Sequence, residues 1–128
     1  MGRAGAAVSV LLVEDEVLIS RLVADWLSQR GFAVHEAASA EEAMHYLDSG
    51  APVDLLFTDV NLPGGMDGMQ LAQQVRQRRP ELPVVYTSGR VRSSDIGALV
   101  PRSIFVPKPY NPEDVCTLLA RLTAAAAS

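Results

Sequence analysis

The sequence predicts an α/β fold in which helices cover both faces of one five-stranded parallel sheet. Two observations support this prediction: the chain contains five short runs that are largely apolar or alternate apolar and polar residues, and a helical segment follows each run. Continuous apolar runs bounded by turn residues are typical of strands buried on both faces of a parallel sheet. Strands that alternate with helices are joined by right-handed crossovers, so the sheet is expected to be doubly wound.

The five apolar runs define the predicted strands. The run at 32–37 alternates apolar and polar residues, as a strand nearer the edge of a sheet does, whereas the others are largely unbroken. The predicted strands span residues 8–15, 32–37, 53–59, 83–89 and 104–109.

Helices are predicted from amphipathic spacing and from capping residues. Two apolar stripes recur at helical spacing in residues 16–31, namely Leu18, Leu22 and Trp26 beside Ile19, Val23 and Leu27. Ser39 and Glu42 form a capping box before a helix at 39–50, and Asn111 caps a helix at 111–127. A further helix is predicted at 69–80.

The segment 90–103, after the fourth strand, is weak as a helix. Gly97 lies in its middle and Pro101 ends it, and both residues are unfavourable inside a helix. The helix expected at this place is therefore short or irregular.

Composition limits the classes of protein to which the chain can belong. Its 128 residues suffice for one domain with a core, and no apolar stretch has the length of a membrane span. The net charge of −4 and the pI of about 5.0 disfavour sequence-independent binding to nucleic acid. The single cysteine, Cys116, excludes an internal disulfide and fits a reducing compartment, so we expect a cytoplasmic protein.

Polar residues end four of the predicted strands. They are Glu14 and Asp15, then Asp59, then Thr87 and Ser88, and finally Lys108. Ligands of open parallel sheets bind beyond the carboxyl ends of the strands, so these side chains are expected to converge. Carboxylates that meet there repel one another unless they share protons or bind a cation, and oxygen ligands suit Mg²⁺, with Mn²⁺ as an alternative. A carboxylate, a divalent cation, a lysine and a hydroxyl are the parts needed to form an aspartyl phosphate, which makes Asp59 the predicted acceptor.

Four motifs in register resemble a response-regulator receiver domain of two-component signalling. They are VLLVEDE, LLFTDVNLPGGMDG, PVVYTSG and FVPKPY, which begin at Val10, Leu55, Pro83 and Phe105. The resemblance implies a flavodoxin-like sheet of order 2-1-3-4-5. It also implies a single-domain receiver at 8–124, with short flexible ends at 1–7 and 125–128 and no output domain.

The resemblance assigns roles to the residues at the strand ends. Asp59 corresponds to the phosphoacceptor, and Lys108 would contact the phosphoryl group. Asp15, Asp59 and the backbone carbonyl of Asn61 would hold Mg²⁺, with Glu14 acting through water.

The resemblance also implies a switch, which consists of the Ser88 hydroxyl and the Phe105 ring. Asn61 and Arg90 fall at positions that tune the lifetime of the phosphate in the family. The peptide bond between Lys108 and Pro109 is expected to be cis.

Two departures from the family pattern affect these expectations. The loop LPGGMDG carries an extra glycine, and the segment after the fourth strand is a poor helix. We expect residues 91–102 to become ordered on phosphorylation or on binding a partner.

The implied partners are a histidine kinase or a histidine phosphotransfer protein and an unknown downstream protein, with no nucleic acid and no membrane. We expect a monomer or a weak phosphorylation-dependent dimer, and no enzyme beyond catalysis of its own phosphorylation and dephosphorylation. Alternatives are a receiver segment of a hybrid histidine kinase and a constitutive protein-interaction module. A Mg²⁺-dependent hydrolase is disfavoured, because Asn61 stands where such sites need a second aspartate.

Other polar and aromatic residues have plainer interpretations. Thr87 is interpreted as a core residue, although it would supply the switch hydroxyl if the register slipped by one position. Cys116 and Trp26 are expected to pack in the core. His35 and His45 are expected at the surface, and Arg76, Arg78 and Arg79 at a solvated helix end.

Overall fold

The protein folds as a five-stranded parallel sheet of order β2-β1-β3-β4-β5, which confirms the predicted topology. The computed structural model describes residues 7–89 and 99–127. The strands are β1 (Ser9–Val13), β2 (Ala33–Ala37), β3 (Leu55–Asp59), β4 (Val84–Ser88) and β5 (Ser103–Pro107). The helices in the described parts of the chain are α1 (Val17–Gln29), α2 (Ala40–Asp48), α3 (Gly68–Arg78) and α4 (Pro112–Ala127).

Several expectations concern residues outside the described ranges. They include the role of Arg90, most of the flexible end expected at 1–7, and the last residue of the end expected at 125–128. The short or irregular helix expected at 90–103 and the ordering expected of residues 91–102 fall mostly within 90–98, which the structure does not describe. Among the described helices, none has the length and apolarity needed to cross a membrane.

The core consists of two layers, one on each face of the sheet. Every residue of β3 and of β4 is buried, as expected for central strands with unbroken apolar runs. Alternate residues enter opposite layers: Leu56 and Tyr86 pack towards α2 and α3, whereas Phe57 and Val85 pack towards α1 and α4. Cys116 is buried in the second layer, as predicted.

Only one of the two apolar stripes of α1 enters the core. Val23 and Leu27 are buried, whereas Leu18 is 86% exposed and Leu22 is 69% exposed. Trp26 is partly buried and packs against the layer beneath α1 and α4. The helix therefore presents an apolar surface to solvent that its role in the fold does not require.

Side-chain caps mark where α2, α3 and α4 begin. The Ser39 hydroxyl accepts a hydrogen bond from the backbone N–H of Glu42 at 3.2 Å, which is one half of the predicted capping box. The other half differs, because the side chain of Glu42 accepts from the backbone N–H of Ala38 and not from that of Ser39. A complete capping box joins Asp67 and Gln70, so that α3 begins at Gly68. At α4, the side chain of Asn111 accepts from the backbone N–H of Glu113 at 2.8 Å.

Arg76 is not part of a solvated helix end, so that interpretation was wrong. Its Nε donates to the carbonyl of Leu82 at 2.7 Å, and its two terminal nitrogens donate to the carbonyls of Pro101 and Arg102. One guanidinium thus ties the end of α3 to the chain entering β4 and β5. Five N–H donors in a fixed fork suit it to several carbonyls at once. Arg78 matches the prediction better, since it forms an exposed pair with Asp48.

Candidate functional site

Residues at the carboxyl ends of β1, β3, β4 and β5 line a cleft of about 680 Å³, among them Asp15, Asp59, Gly89 and Lys108. Because the strands are parallel, their carboxyl ends share one edge of the sheet. Asp59 is the last residue of β3 and Ser88 the last of β4, while Glu14 and Lys108 follow β1 and β5 directly. The expected convergence of these residues is therefore present in the fold.

Lys108 joins the two most buried carboxylates of the cleft. Its Nζ donates to Glu14 Oε1 and to Asp59 Oδ2, each at 2.9 Å. The side chains of Glu14 and Asp59 are 5% and 9% exposed, so these charges depend on the lysine rather than on water for compensation.

The pKa values of this cluster reflect burial and charge together. Burial alone would lower the pKa of Lys108, but its hydrogen bonds to Asp59 and Glu14 outweigh burial and raise that pKa. Burial raises the pKa of Glu14 in spite of its bond to Lys108. Lys108 is thus held in its charged form, facing more negative charge than it can neutralise.

The loop after β3 holds Asp59 from the other side. Asp59 Oδ1 accepts a hydrogen bond from the backbone N–H of Asn61 at 3.0 Å, and the N–H of Gly68 donates to the carbonyl of Val60 at 2.9 Å. A Cβ on Gly68 would lie 2.0 Å from the carbonyl oxygen of Asp59, so only glycine fits here. The loop turns at Gly64, whose φ of +91° is one that L-residues with side chains rarely adopt.

The two candidate hydroxyls of β4 have different surroundings. Ser88 is 2% exposed, and its Oγ accepts a hydrogen bond from Asn61 Nδ2 at 2.9 Å. Thr87 is 4% exposed, and its Oγ1 has no hydrogen-bond partner among the residues that the structure describes. Phe105 lies beside Tyr86 in the β4–β5 register and packs, partly buried, against the layer beneath α2 and α3. The peptide bond between Lys108 and Pro109 is cis.

The acidic residues can supply oxygen ligands to one cation. Carboxylate oxygens of Glu14, Asp15 and Asp59 all lie within 4.8 Å of one another, and Asp15 is exposed. The oxygens of Glu14 already accept from Lys108 and from the backbone N–H of Glu16. The oxygens of Asp59 likewise accept from Lys108 and from the backbone N–H of Asn61, which leaves exposed Asp15 the most accessible of the three. This hard, all-oxygen donor set fits Mg²⁺.

Comparison with known proteins agrees with this geometry. The family model described as "Response regulator receiver domain" matches residues 10–120. The chain belongs to this family.

Two curated relatives contain similar receiver segments. The chain is 32% identical over 117 residues to the sensor kinase CckA of Brucella abortus, which covers 89% of this chain and 12% of CckA. It is 32% identical over 115 residues to the nitrogen assimilation regulatory protein NtrX of Azorhizobium caulinodans, covering 88% of this chain and 25% of NtrX. The chain therefore spans about an eighth and a quarter of the length of these relatives.

Solved receiver structures match the fold over most of the chain. A response regulator receiver protein from Sinorhizobium medicae has a TM-score of 0.85 and 33% identity, covering 94% of this chain and 97% of that chain. The receiver domain of NtrX from Brucella abortus has a TM-score of 0.81 and 32% identity, covering 90% of this chain and 98% of that chain.

This receiver also has an apolar groove that sequence reasoning missed. It measures about 710 Å³, and Lys108 and Gly89 border both the groove and the cleft. Most of its remaining lining is apolar, comprising Ile19, Leu22, Val23, Trp26, Pro109, Tyr110 and Pro112. Tyr110 is largely buried, which raises the pKa of its hydroxyl to about 12. Two features of the sequence could have indicated this groove: the second apolar stripe of α1 and the aromatic residue that directly follows Lys108-Pro109.

Proposed function

We propose that this receiver accepts a phosphoryl group on Asp59 from a phosphohistidine of a histidine kinase or histidine phosphotransfer protein. The observation that carries the proposal is the contact of Lys108 with both Asp59 and Glu14 in an acidic cleft. A structural ion pair needs one carboxylate, whereas this lysine faces a cluster of three whose oxygens lie together. Such a surplus of negative charge is costly unless a cation binds there. A bound cation and Lys108 together would then offset the charge of an incoming phosphoryl group.

The transfer would form one bond and break another. An oxygen of Asp59 bonds to phosphorus as the nitrogen–phosphorus bond of the donor breaks, and the imidazole keeps that electron pair and takes a proton from water. The ammonium of Lys108 leaves its carboxylate partners to donate to a phosphoryl oxygen, which stabilises charge as the group moves. The chain would catalyse only its own phosphorylation and dephosphorylation, and no reaction of a small substrate.

The proposed Mg²⁺ ligands are Asp15, Asp59 and the backbone carbonyl of Asn61, with Glu14 acting through water. Bound there, Mg²⁺ or Mn²⁺ supplies positive charge that reduces repulsion between the carboxylate and the incoming phosphoryl group. Asn61 also lies at a position that tunes the lifetime of the phosphate in the family.

Phosphorylation would change the outer surface of the protein through the switch residues Ser88 and Phe105. The Ser88 hydroxyl moves to the phosphoryl group, and the space that it leaves lets Phe105 turn inward. The altered surface then changes the binding of a downstream protein. Alternatively, the receiver only removes phosphoryl groups from a phosphorelay.

The apolar groove suits the approach of the donor protein. It adjoins the cleft at Lys108, and exposed Leu18 and Leu22 extend its apolar surface along α1. A partner that covers this surface would bring its phosphohistidine to Asp59 while water is excluded from the groove.

The test is incubation with acetyl phosphate and Mg²⁺ followed by measurement of the intact mass, with Asp59→Asn in parallel. We expect one phosphoryl adduct in the wild type, and none in the variant or without Mg²⁺. A short-lived adduct escapes this measurement, so the backbone NMR spectrum is also recorded with beryllofluoride and Mg²⁺. An unchanged spectrum together with no adduct would refute the proposal in favour of a constitutive interaction module.

Similarity to a segment of the sensor kinase CckA supports a second setting for the same chemistry. In that setting the receiver belongs to, or derives from, a hybrid histidine kinase and receives its phosphate from the same protein. Phosphotransfer rates measured separately with a CckA-type kinase and with a kinase that phosphorylates an NtrX-type regulator would distinguish the two settings.

A further inference from the structure

Asn61 contacts both the phosphoacceptor and the switch hydroxyl. Its backbone N–H donates to Asp59 Oδ1 at 3.0 Å, and its side-chain Nδ2 donates to Ser88 Oγ at 2.9 Å. Ser88 is 2% exposed, so water competes poorly for this hydroxyl. The bond crosses from the loop after β3 to the end of β4, two segments separated by 27 residues in the chain.

We propose that the Asn61 side chain is a positioning residue, which holds the Ser88 hydroxyl before phosphorylation and so sets how readily the switch responds. This inference rests on the proposed function, in which Ser88 has to move towards a phosphoryl group on Asp59. The amide hydrogen bond fixes the oxygen of Ser88 in its starting place. Moving the hydroxyl requires this bond to break or to rearrange.

The bond biases an equilibrium between two positions of the hydroxyl. An interaction made in only one state favours that state by its own free energy, and a ligand selective for the other state then binds more weakly. The net free energy of a typical hydrogen bond changes such an equilibrium constant about fivefold. Without the Asn61 amide, a phosphoryl analogue should therefore bind about fivefold more tightly.

This role differs from those that the proposed function gives to Asn61. The backbone carbonyl would bind the metal, and truncation of the side chain leaves that carbonyl in place. An effect on the lifetime of the phosphate concerns attack by water on the modified Asp59. The proposed role acts before modification and requires the hydroxyl of Ser88.

A double-mutant cycle separates these roles. Asn61→Ala is made in the wild type and in Ser88→Ala, and beryllofluoride is titrated at saturating Mg²⁺ while the amide signals of β5 are followed by NMR. Mg²⁺ affinity is measured for each protein without beryllofluoride, so that altered metal binding can be subtracted.

We expect Asn61→Ala to lower the beryllofluoride Kd about fivefold when Ser88 is present and to leave it unchanged in Ser88→Ala. The free Asn61→Ala protein should also show β5 signals displaced towards their beryllofluoride-bound positions. Equal effects in both backgrounds, or no gain in affinity when Ser88 is present, would overturn the inference while leaving phosphorylation intact. Failure of the wild type to bind beryllofluoride would instead overturn the proposed function and this inference with it.

Discussion

At the carboxyl ends of the strands Lys108 donates to two buried carboxylates, whereas at the amino ends of β4 and β5 Arg76 donates to three backbone carbonyls. Both side chains are cations that join distant parts of the chain. Their pKa values move in opposite directions. The carboxylates raise the pKa of Lys108 against the effect of burial, whereas burial and the nearby Arg102 lower the pKa of Arg76.

This difference in partners distinguishes a ligand-binding site, around Lys108, from a purely structural set of hydrogen bonds, around Arg76. Neutral carbonyls satisfy the donors of Arg76 and leave no charge for a ligand to use. Two carboxylates bonded to one ammonium, with a third carboxylate beside them, leave negative charge that favours a further cation. Substitutions at both places should change the stability of the fold, but only those at the carboxyl ends of the strands should change the binding of ligands.

Gly68→Ala should have the largest effect, at the carboxyl end. A Cβ there would lie 2.0 Å from the carbonyl oxygen of Asp59, and the backbone can relieve this collision only by moving. We expect the free energy of unfolding to fall by about 3 kcal/mol, measured by urea denaturation. Gly65→Ala is the matched control in the same loop, because nothing lies within 4 Å of its Cβ position, and it should change stability by less than about 0.5 kcal/mol. Equal losses in both variants would show that the loop, and not the contact with Asp59, is responsible.

Lys108→Met should lower the free energy of unfolding by about 2 kcal/mol at pH 7, between the values typical of exposed and fully buried ion pairs. The loss arises because Glu14 and Asp59 remain buried without their cation. Asp59→Asn added to Lys108→Met should restore part of the stability, since it removes one of the stranded charges.

The cost of Lys108→Met should also depend on pH. A lysine whose pKa is raised in the folded state stabilises the protein fully below its unfolded value of 10.5, and loses that contribution as pH rises through the folded value. The difference between wild type and variant should therefore shrink above pH 10.5 in denaturation series. A constant difference up to pH 12 would contradict the proposed charge pairing.

The contacts at the carboxyl ends and at the amino ends of the strands also differ in how far the sequence predicted them. The strand-end acids and Lys108 were identifiable because a charge directly after an apolar run is unusual, and the parallel sheet brings such positions together. The hydrogen bonds of Arg76 were not predicted, because its partners are backbone carbonyls up to 26 residues away. Every residue has such a carbonyl, so residue types do not indicate which carbonyls will accept a bond. The apolar groove was missed for a related reason: helical spacing shows that α1 has two apolar stripes but not which of them the sheet covers.

Arg76→Lys tests the amino end. Lysine keeps the charge but cannot donate in a fixed fork to three carbonyls, so we expect a loss of about 1.5 kcal/mol by urea denaturation. Arg78→Lys, in the exposed pair with Asp48, is the control and should cost less than about 0.5 kcal/mol. Beryllofluoride affinity should be unchanged in Arg76→Lys, and a large loss of affinity would show that the two ends are coupled.

Thr87→Val should have the smallest effect and the opposite sign. Its Oγ1 is buried without a hydrogen-bond partner in the described part of the chain, so replacing the hydroxyl with a methyl group should stabilise the fold by about 1 kcal/mol. Thr58→Val is the matched control in the adjacent strand, since Thr58 Oγ1 donates to the carbonyl of Asp59 at 2.9 Å and its loss should be destabilising. Thr87→Val should also keep the NMR response to beryllofluoride, which Ser88→Ala should weaken. If Thr87→Val instead lost that response, Thr87 would be the switch hydroxyl, and its unpaired oxygen would be explained as a group kept ready for the phosphoryl group.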